Sequence, residues 1–330
     1  MVQTVLIGVA AGAASALLFA SLASGSLLAI SLFYLAPLPV MIAALGWSHV
    51  AGLIAAAAAS IALGLLFGSA LFITFVAGVA LPAWWLGYLA LLGRPAPAPS
   101  PDVVEWYPVG RLVLWAALLG AALAIVLGAL LVMATNSDAG VDSDTLQAAI
   151  RRALDRLLRQ QTETPADSPL LLPGAADGDA MLDFLATWIP RLAAIPPTIN
   201  NVVNLWLAGR IVRLSGRLPR PWPELSAIRF PPQATMLLAV ALAGTFLPGL
   251  PGMLAWIFTG SLVTAYALLG FAVVHAATRT LNGRGFILVG LYALVGVFGW
   301  PGLVVALVGL ADTAIDIRGR VARRHPPPHA

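Results

Sequence analysis

The stretch Thr198–Pro232, TINNVVNLWLAGRIVRLSGRLPRPWPELSAIRFPP, decides how the rest of the chain is read. It opens as an apolar helix carrying Asn200, Asn201 and Asn204, and it leaves the apolar phase through Arg210, Arg213, Arg217, Arg220 and Arg229. Five arginines against Glu224 leave +4 over a short loop. Short arginine-rich loops stay on the cytoplasmic side of a membrane. An apolar helix ending in such a loop predicts a membrane span, and the loop sets the orientation expected of all the others.

Composition agrees. The 330 residues are 60% hydrophobic and 10% charged, with a mean hydropathy of +0.92. A soluble domain carries roughly 25% charged residues, and so few charges cannot cover a solvated surface. The sequence predicts an all-α fold: a polytopic integral membrane helical bundle of nine or ten membrane segments, with the lipid bilayer around it and a short amphipathic helix outside it. All 18 basic residues are arginine, and most lie where topology alone would put them. The pI near 10.1 therefore calls for no nucleic-acid partner. With no cysteine, the chain has no disulfide, thiol nucleophile or iron–sulfur ligand.

Five spans are expected in residues 1–134: Val5–Ala23, Leu27–Leu45, Val50–Phe67, Leu71–Leu92 and Leu112–Ala134. In the first, Gly8, Gly12, Ala16, Ala20 and Ser24 recur every four residues and line one helix face. Such a face, here Gly12, Ala16 and Ala20, lets a second helix approach closely, whether of this chain or of another membrane subunit. The second span contains LAPLPV, where Pro37 and Pro39 each remove a backbone donor. Two readings stand for Tyr34, Pro37 and Pro39: the lining of a substrate cavity at a broken helix, or a kink that serves packing. Between the fourth and fifth spans, residues 94–108 begin with Arg94-Pro-Ala-Pro-Ala-Pro-Ser-Pro101 and are expected to form an extended cytoplasmic linker.

Residues 135–183 change character. Four arginines against nine acids leave −5, which suits an extracytoplasmic insert. Within it, 144–161 reads as an amphipathic helix with a stripe of Leu146, Ile150, Leu154, Leu157 and Leu158, and with Ser143 as candidate N-cap. Residues 184–317 form a second membrane block. Its first span, Phe184–Leu207, carries Pro190, Pro196 and Pro197 and the three asparagines. Asn200, Asn201 and Asn204 need partners in hydrocarbon: either a polar solute or groups on neighbouring helices. Gln233–Phe246 and Met253–Ala277 follow. Trp300-Pro301-Gly302 divides the last apolar stretch into a hairpin, Phe286–Phe298 and Leu303–Ile317, which keeps the basic tail 318–330 cytoplasmic and disordered. Without that turn, nine spans would place the tail outside. Asp312 and Asp316 lie one turn apart, with Arg318 behind them; a capped helix end with local ion pairs is preferred to a metal or acid–base pair.

LAPLPVMIAALGW, the exit Asn201…Asn204…Ala208-Gly209-Arg210 followed by RLPRPWPELSAIRFP, and GLADTAIDIRGR from Gly309 together resemble the YybS-like family of bacterial membrane proteins, the domain of unknown function numbered 2232. The first block is also similar to the substrate-binding S-components of energy-coupling-factor transporters and to the rod-shape protein MreD. The S-component likeness implies a coupling subunit docked on Gly12, Ala16 and Ala20. The acidic insert and extra C-terminal spans depart from a six-helix S-component. No metalloprotease motif, phosphate loop or nucleophile elbow is present, so no catalytic residue, metal or cofactor is assigned and an enzyme is not expected. The expected function is recognition or transport of a small solute of unknown identity in the inner membrane; the alternative is a non-enzymatic scaffold of the cell envelope.

Overall fold

A computed structural model describes residues 1–96, 104–135, 142–162, 165, 177–222, 228–279 and 281–324, the last four through their backbone alone. Of the tail 318–330 expected to be disordered, residues up to Arg324 are helical instead, and the rest, with the centre of the proline-rich linker and most of Pro165–Gly178, lies outside the described residues.

Helix α1 (Val2–Ala20) ends in a 3₁₀ turn to Ser24. The next crossing is broken into α2 (Leu27–Tyr34) and α3 (Pro37–Gly46). After α4 (His49–Phe67) comes a crossing made of α5 (Ser69–Phe75), a π-helical turn at Val76–Ala80 and α6 (Leu81–Ala90). Pro82 has no N–H to return to the preceding turn, which suits the widened helix there. The expected linker is instead an antiparallel ribbon at its two ends, β1 (Gly93–Pro95) on β2 (Val104–Trp106), clamped by an Arg94–Glu105 ion pair of 2.8 Å. Alternating prolines read as an extended spacer, and only the pairing of Arg94 with Glu105 reveals a ribbon.

Helix α7 (Val109–Ala134) is the wall between two cores. Leu112 and Ala116 pack with α1 to α6 and with Ala208 and Val212, whereas Val113 and Ala117 face Ile228, Phe230, Leu262 and Tyr266. Positions four apart share a helix face, so 112/116 and 113/117 present adjoining faces to the two halves. Helix α8 (Ser143–Thr162) is amphipathic as expected and buries Leu146, Ala149 and Ile150. Its cap is Asp142, whose carboxylate accepts the Thr145 N–H at 2.7 Å, and not Ser143, which lies inside the helix.

The expected single span Phe184–Leu207 is two helices, α9 (Gly178–Leu192) and α10 (Ile195–Leu214). Pro196 and Pro197 lack the N–H groups that would bond the carbonyls of Leu192 and Ala193, so the first helix stops there. Helix α9 pairs with α8 at the acidic end of the bundle, where Arg151 holds Asp179 at 2.7 Å and Asp183 at 2.6 Å.

Helices α11 (Pro232–Gly244) and α12 (Gly249–Ala277) complete the second half with α13 (Arg284–Phe298), α14 (Pro301–Ile315) and the short α15 (Ile317–Arg324). The chain turns between α13 and α14 at Gly299, with φ +69°. Tyr292 of α13 stacks on Phe271 at 4.7 Å, near the end of α12 that the chain has just left. At the far end of α14, Asp316 pairs with Arg229, whose carbonyl lies against Gly110 at the start of α7. The pair thus returns the chain to the arginine-rich end, as a hairpin does. Each arm has 15 residues, about 22 Å, short of a ~30 Å hydrocarbon core. Helix α14 seats on α12 where Gly270 and Gly309 cross; a Cβ on either would strike backbone of the other helix.

Among the described residues, six segments are long and apolar enough to cross a membrane: Val2–Ser24, Leu27–Gly46, His49–Phe67, Ser69–Ala90, Val109–Ala134 and Gly249–Ala277. Large apolar side chains such as Leu6, Leu17, Leu65, Val240 and Phe286 point outward from them and from the shorter helices. Small residues face inward. The protein is an all-α polytopic membrane bundle.

Candidate functional site: the asparagine seam and the arginine-rich end

Helix α10 buries Thr198, Asn201, Asn204 and Ala208 along one face, at three- and four-residue spacing. That face is pressed between α7 and α3. At the top of the seam a Cβ on Gly120 of α7 would meet the Thr198 hydroxyl at 2.5 Å, so glycine allows the close approach. Asn201 then donates its amide N–H to the Ala116 carbonyl of α7 at 3.4 Å. One turn on, Asn204 Nδ2 reaches the Tyr34 carbonyl at 2.9 Å and the Asn200 Oδ1 at 2.8 Å.

The Tyr34 contact explains the broken helix. Pro37 has no N–H for the Phe33 carbonyl, and the turn tightens: Ala36 N–H goes to Phe33 O at 3.1 Å and Leu38 N–H to Leu35 O at 3.0 Å. The carbonyls at the break then take side-chain donors. Tyr34 O takes Asn204, and Ala36 O takes the Ser15 hydroxyl of α1 at 2.6 Å. A carbonyl left unbonded in hydrocarbon is costly, so these donors hold three helices together at one point.

The structure therefore brings Tyr34, Asn200 and Asn204 into one hydrogen-bonded group through the backbone of Tyr34. The Tyr34 ring points outward, Pro37 is buried as the first residue of α3, and Pro39 is half-buried in its first turn. Asn204 Oδ1 is buried without a partner among the described residues. Gly12 lies on the Ala55 carbonyl and Ala58 of α4, and Gly8 on Ile54, so this part of the small-residue face is covered by a helix of the same chain. Ala16 is buried and Ala20 half-buried, both within the same core.

The arginine-rich end carries contacts that the sequence did not disclose. The loop after α10 folds back so that the Trp222 indole occupies the space where a Cβ of Gly209 would stand. Arg220 donates to the Ala90 carbonyl, the last residue of α6, at 2.9 Å. Its guanidinium is largely out of water, which pushes its pKa below the ordinary arginine value. Arg217 lies over the Trp47 ring at 4.6 Å. At the chain's end Asp312 is almost fully buried and accepts three donations from Arg318, from its backbone N–H at 3.0 Å and from its guanidinium at 2.9 and 2.7 Å. Asp316 turns the other way, in the left-handed conformation, toward Arg229. The two carboxylates are thus held by separate arginines, and the described residues contain no group of three His, Asp or Glu side chains fit to hold a metal. A mainly apolar cavity of about 90 Å³ lies beside this end, lined by Leu45, Val202, Trp206, Arg220 and Trp222 among others.

The profile of one family, described as predicted membrane proteins (DUF2232), matches residues 13–313. The chain belongs to the DUF2232 family. No curated protein and no solved structure matches it significantly. The matched region of this DUF2232 protein takes in the helix break, the asparagine seam, the Gly209–Trp222 fold-back and Asp312.

Proposed function

We propose that this DUF2232 protein is a non-enzymatic scaffold of the bacterial inner membrane, a rigid helical platform on which other envelope proteins assemble. The observation that carries this reading is the use of the asparagines. Asn201 and Asn204 donate to the carbonyls of Ala116 and Tyr34, so they act as joints between α10, α7 and the broken crossing. Groups that bind a solute face a cavity, usually of about 300 Å³ or more. The small cavity at the arginine-rich end is mainly apolar, and none of the three asparagines lines it. The +4 loop after α10 and the arginines near the other turns at the same end support a cytoplasmic assignment for that end, with both termini on that side.

Recognition of a small polar solute is the second reading, and one observation favours it: Asn204 Oδ1 is a buried acceptor without a partner among the described residues. Purification in mild detergent, with mass spectrometry of co-purifying proteins and small molecules, separates the two. The scaffold reading expects a stoichiometric membrane or envelope protein, and no solute whose retention depends on the asparagines. A stoichiometric solute that Asn200→Leu with Asn204→Leu releases, at unchanged protein stability, overturns it.

A further inference from the structure

At the acidic end, away from the seam, α8, α9 and the turn into α12 enclose a polar cavity of about 250 Å³. Ser143 and Gln147 of α8, Thr187 and Arg191 of α9, Thr245 and Trp256 are among the groups that line it. Arg191 is the only charged side chain among the lining residues. Its guanidinium carbon lies 5.3 Å from the Trp188 ring centroid and 5.8 Å from that of Trp256. The two rings stand at 77° to each other, and both attract the cation.

Among the described residues, the guanidinium N–H donors have no carboxylate to receive them. Arg191 makes no ion pair or hydrogen bond through its side chain to any described residue, and neither do Thr187 and Gln147. Three described acids of α8 and α9 are engaged elsewhere: Asp179 and Asp183 hold Arg151, and Asp142 caps α8. The wall opposite is fixed by backbone. Gly249 has φ +66°, and a Cβ on Gly252 would strike the Leu247 carbonyl, so Leu247-Pro-Gly-Leu-Pro-Gly252 closes into one tight shape. A fixed cavity with one unneutralised guanidinium, a hydroxyl and an amide is built to receive an anion with several acceptor oxygens.

We propose that the cavity formed by Arg191, Thr187 and Gln147 between α8, α9 and the 245–252 turn binds a phosphate-bearing ligand through the Arg191 guanidinium. The phosphate comes from a small soluble anion or from the headgroup of an anionic lipid, since the cavity lies at the end of the apolar bundle. The site is separate from the asparagine seam and does not depend on the scaffold reading.

Calorimetric titration of the full chain in dodecyl maltoside, which carries no phosphate, tests it in two arms: inorganic phosphate, and short-chain phosphatidylglycerol. Saturable binding is expected in at least one arm, with Arg191→Gln at least tenfold weaker, about 1.4 kcal/mol. Binding of free phosphate assigns a soluble ligand, and binding of the lipid alone assigns a headgroup. If Arg191→Gln fails to fold, Thr187→Val with Gln147→Leu is expected to weaken the same binding at unchanged thermal stability. Absence of saturable binding in both arms overturns the proposal, and so does binding that none of these substitutions weakens.

Discussion

Asp312→Ala tests whether the buried pair near the chain's end anchors α14. The Asp312 side chain is 2% exposed and that of Arg318 is 7% exposed, with the closest approach at 2.7 Å. Removing one partner of a buried pair leaves the other charge without compensation, a loss of about 3–5 kcal/mol. The expectation is a loss of about 3 kcal/mol or more. The surface pair Arg94–Glu105 serves as control: its side chains are 74% and 50% exposed, and Glu105→Ala should cost no more than about 1 kcal/mol. Replacing both partners, Asp312→Leu with Arg318→Met, removes the charge together with its need for a partner. The double variant should recover most of the loss. Unfolding free energies in mixed micelles, taken for all three variants and the wild type, give the comparison. An Asp312→Ala loss below about 1 kcal/mol, or a double variant no more stable than the single, would refute the reasoning.

Three further predictions rest on particular contacts. Gly209→Ala places a methyl where the Trp222 ring lies, so the loop must lift; near-ultraviolet dichroism should change, and Trp222→Ala with Gly209→Ala should cost little beyond Trp222→Ala alone. Gly12→Leu drives a side chain into the Ala55 carbonyl and should lower stability by about 1–3 kcal/mol, seen as a lower melting temperature in the same detergent. The Thr145 N–H holds the Asp142 carboxyl below the usual aspartate pKa. Its cap therefore contributes fully above the unfolded pKa of about 3.9 and is lost as pH falls through the lower folded value. Hydrogen exchange at the start of α8 should be slower in wild type than in Asp142→Ala near neutral pH, and the difference should vanish in strong acid.

The membrane class was legible because charge is scarce everywhere, and the break before Pro37 because a missing N–H is a local fact. The hairpin at Gly299 was legible because Trp300-Pro301-Gly302 interrupts the last apolar stretch and a single span would have parted the arginine tail from the other arginine-rich loops. The split of the expected sixth span was half-legible: Pro196 and Pro197 were visible, but which carbonyls they would leave free depended on where the helix began. The asparagines stood out as polar groups in an apolar run. Their partners did not, because Tyr34 is 170 residues from Asn204 and offers only a carbonyl, which every residue has. Gly110, Gly209, Gly270 and Gly309 carry the closest crossings, yet among 31 glycines nothing local marks them. The Arg191 pocket was hidden for a related reason. Trp188 is three residues from Arg191, but Trp256 comes from another helix.

The central claim is that the α10 asparagines join helices. Asn204→Leu removes the donor to the Tyr34 carbonyl while filling similar volume, and its unfolding free energy in mild detergent tests the claim most directly. Measured interhelical hydrogen bonds in membranes are worth about 0.6 kcal/mol on average and up to about 1.7. Because this amide serves a carbonyl exposed by a helix break, a loss of about 1–2 kcal/mol is predicted, with no change in bound small molecules. Stability equal to or above wild type, together with loss of a bound polar solute, would contradict the claim and return the seam to solute recognition.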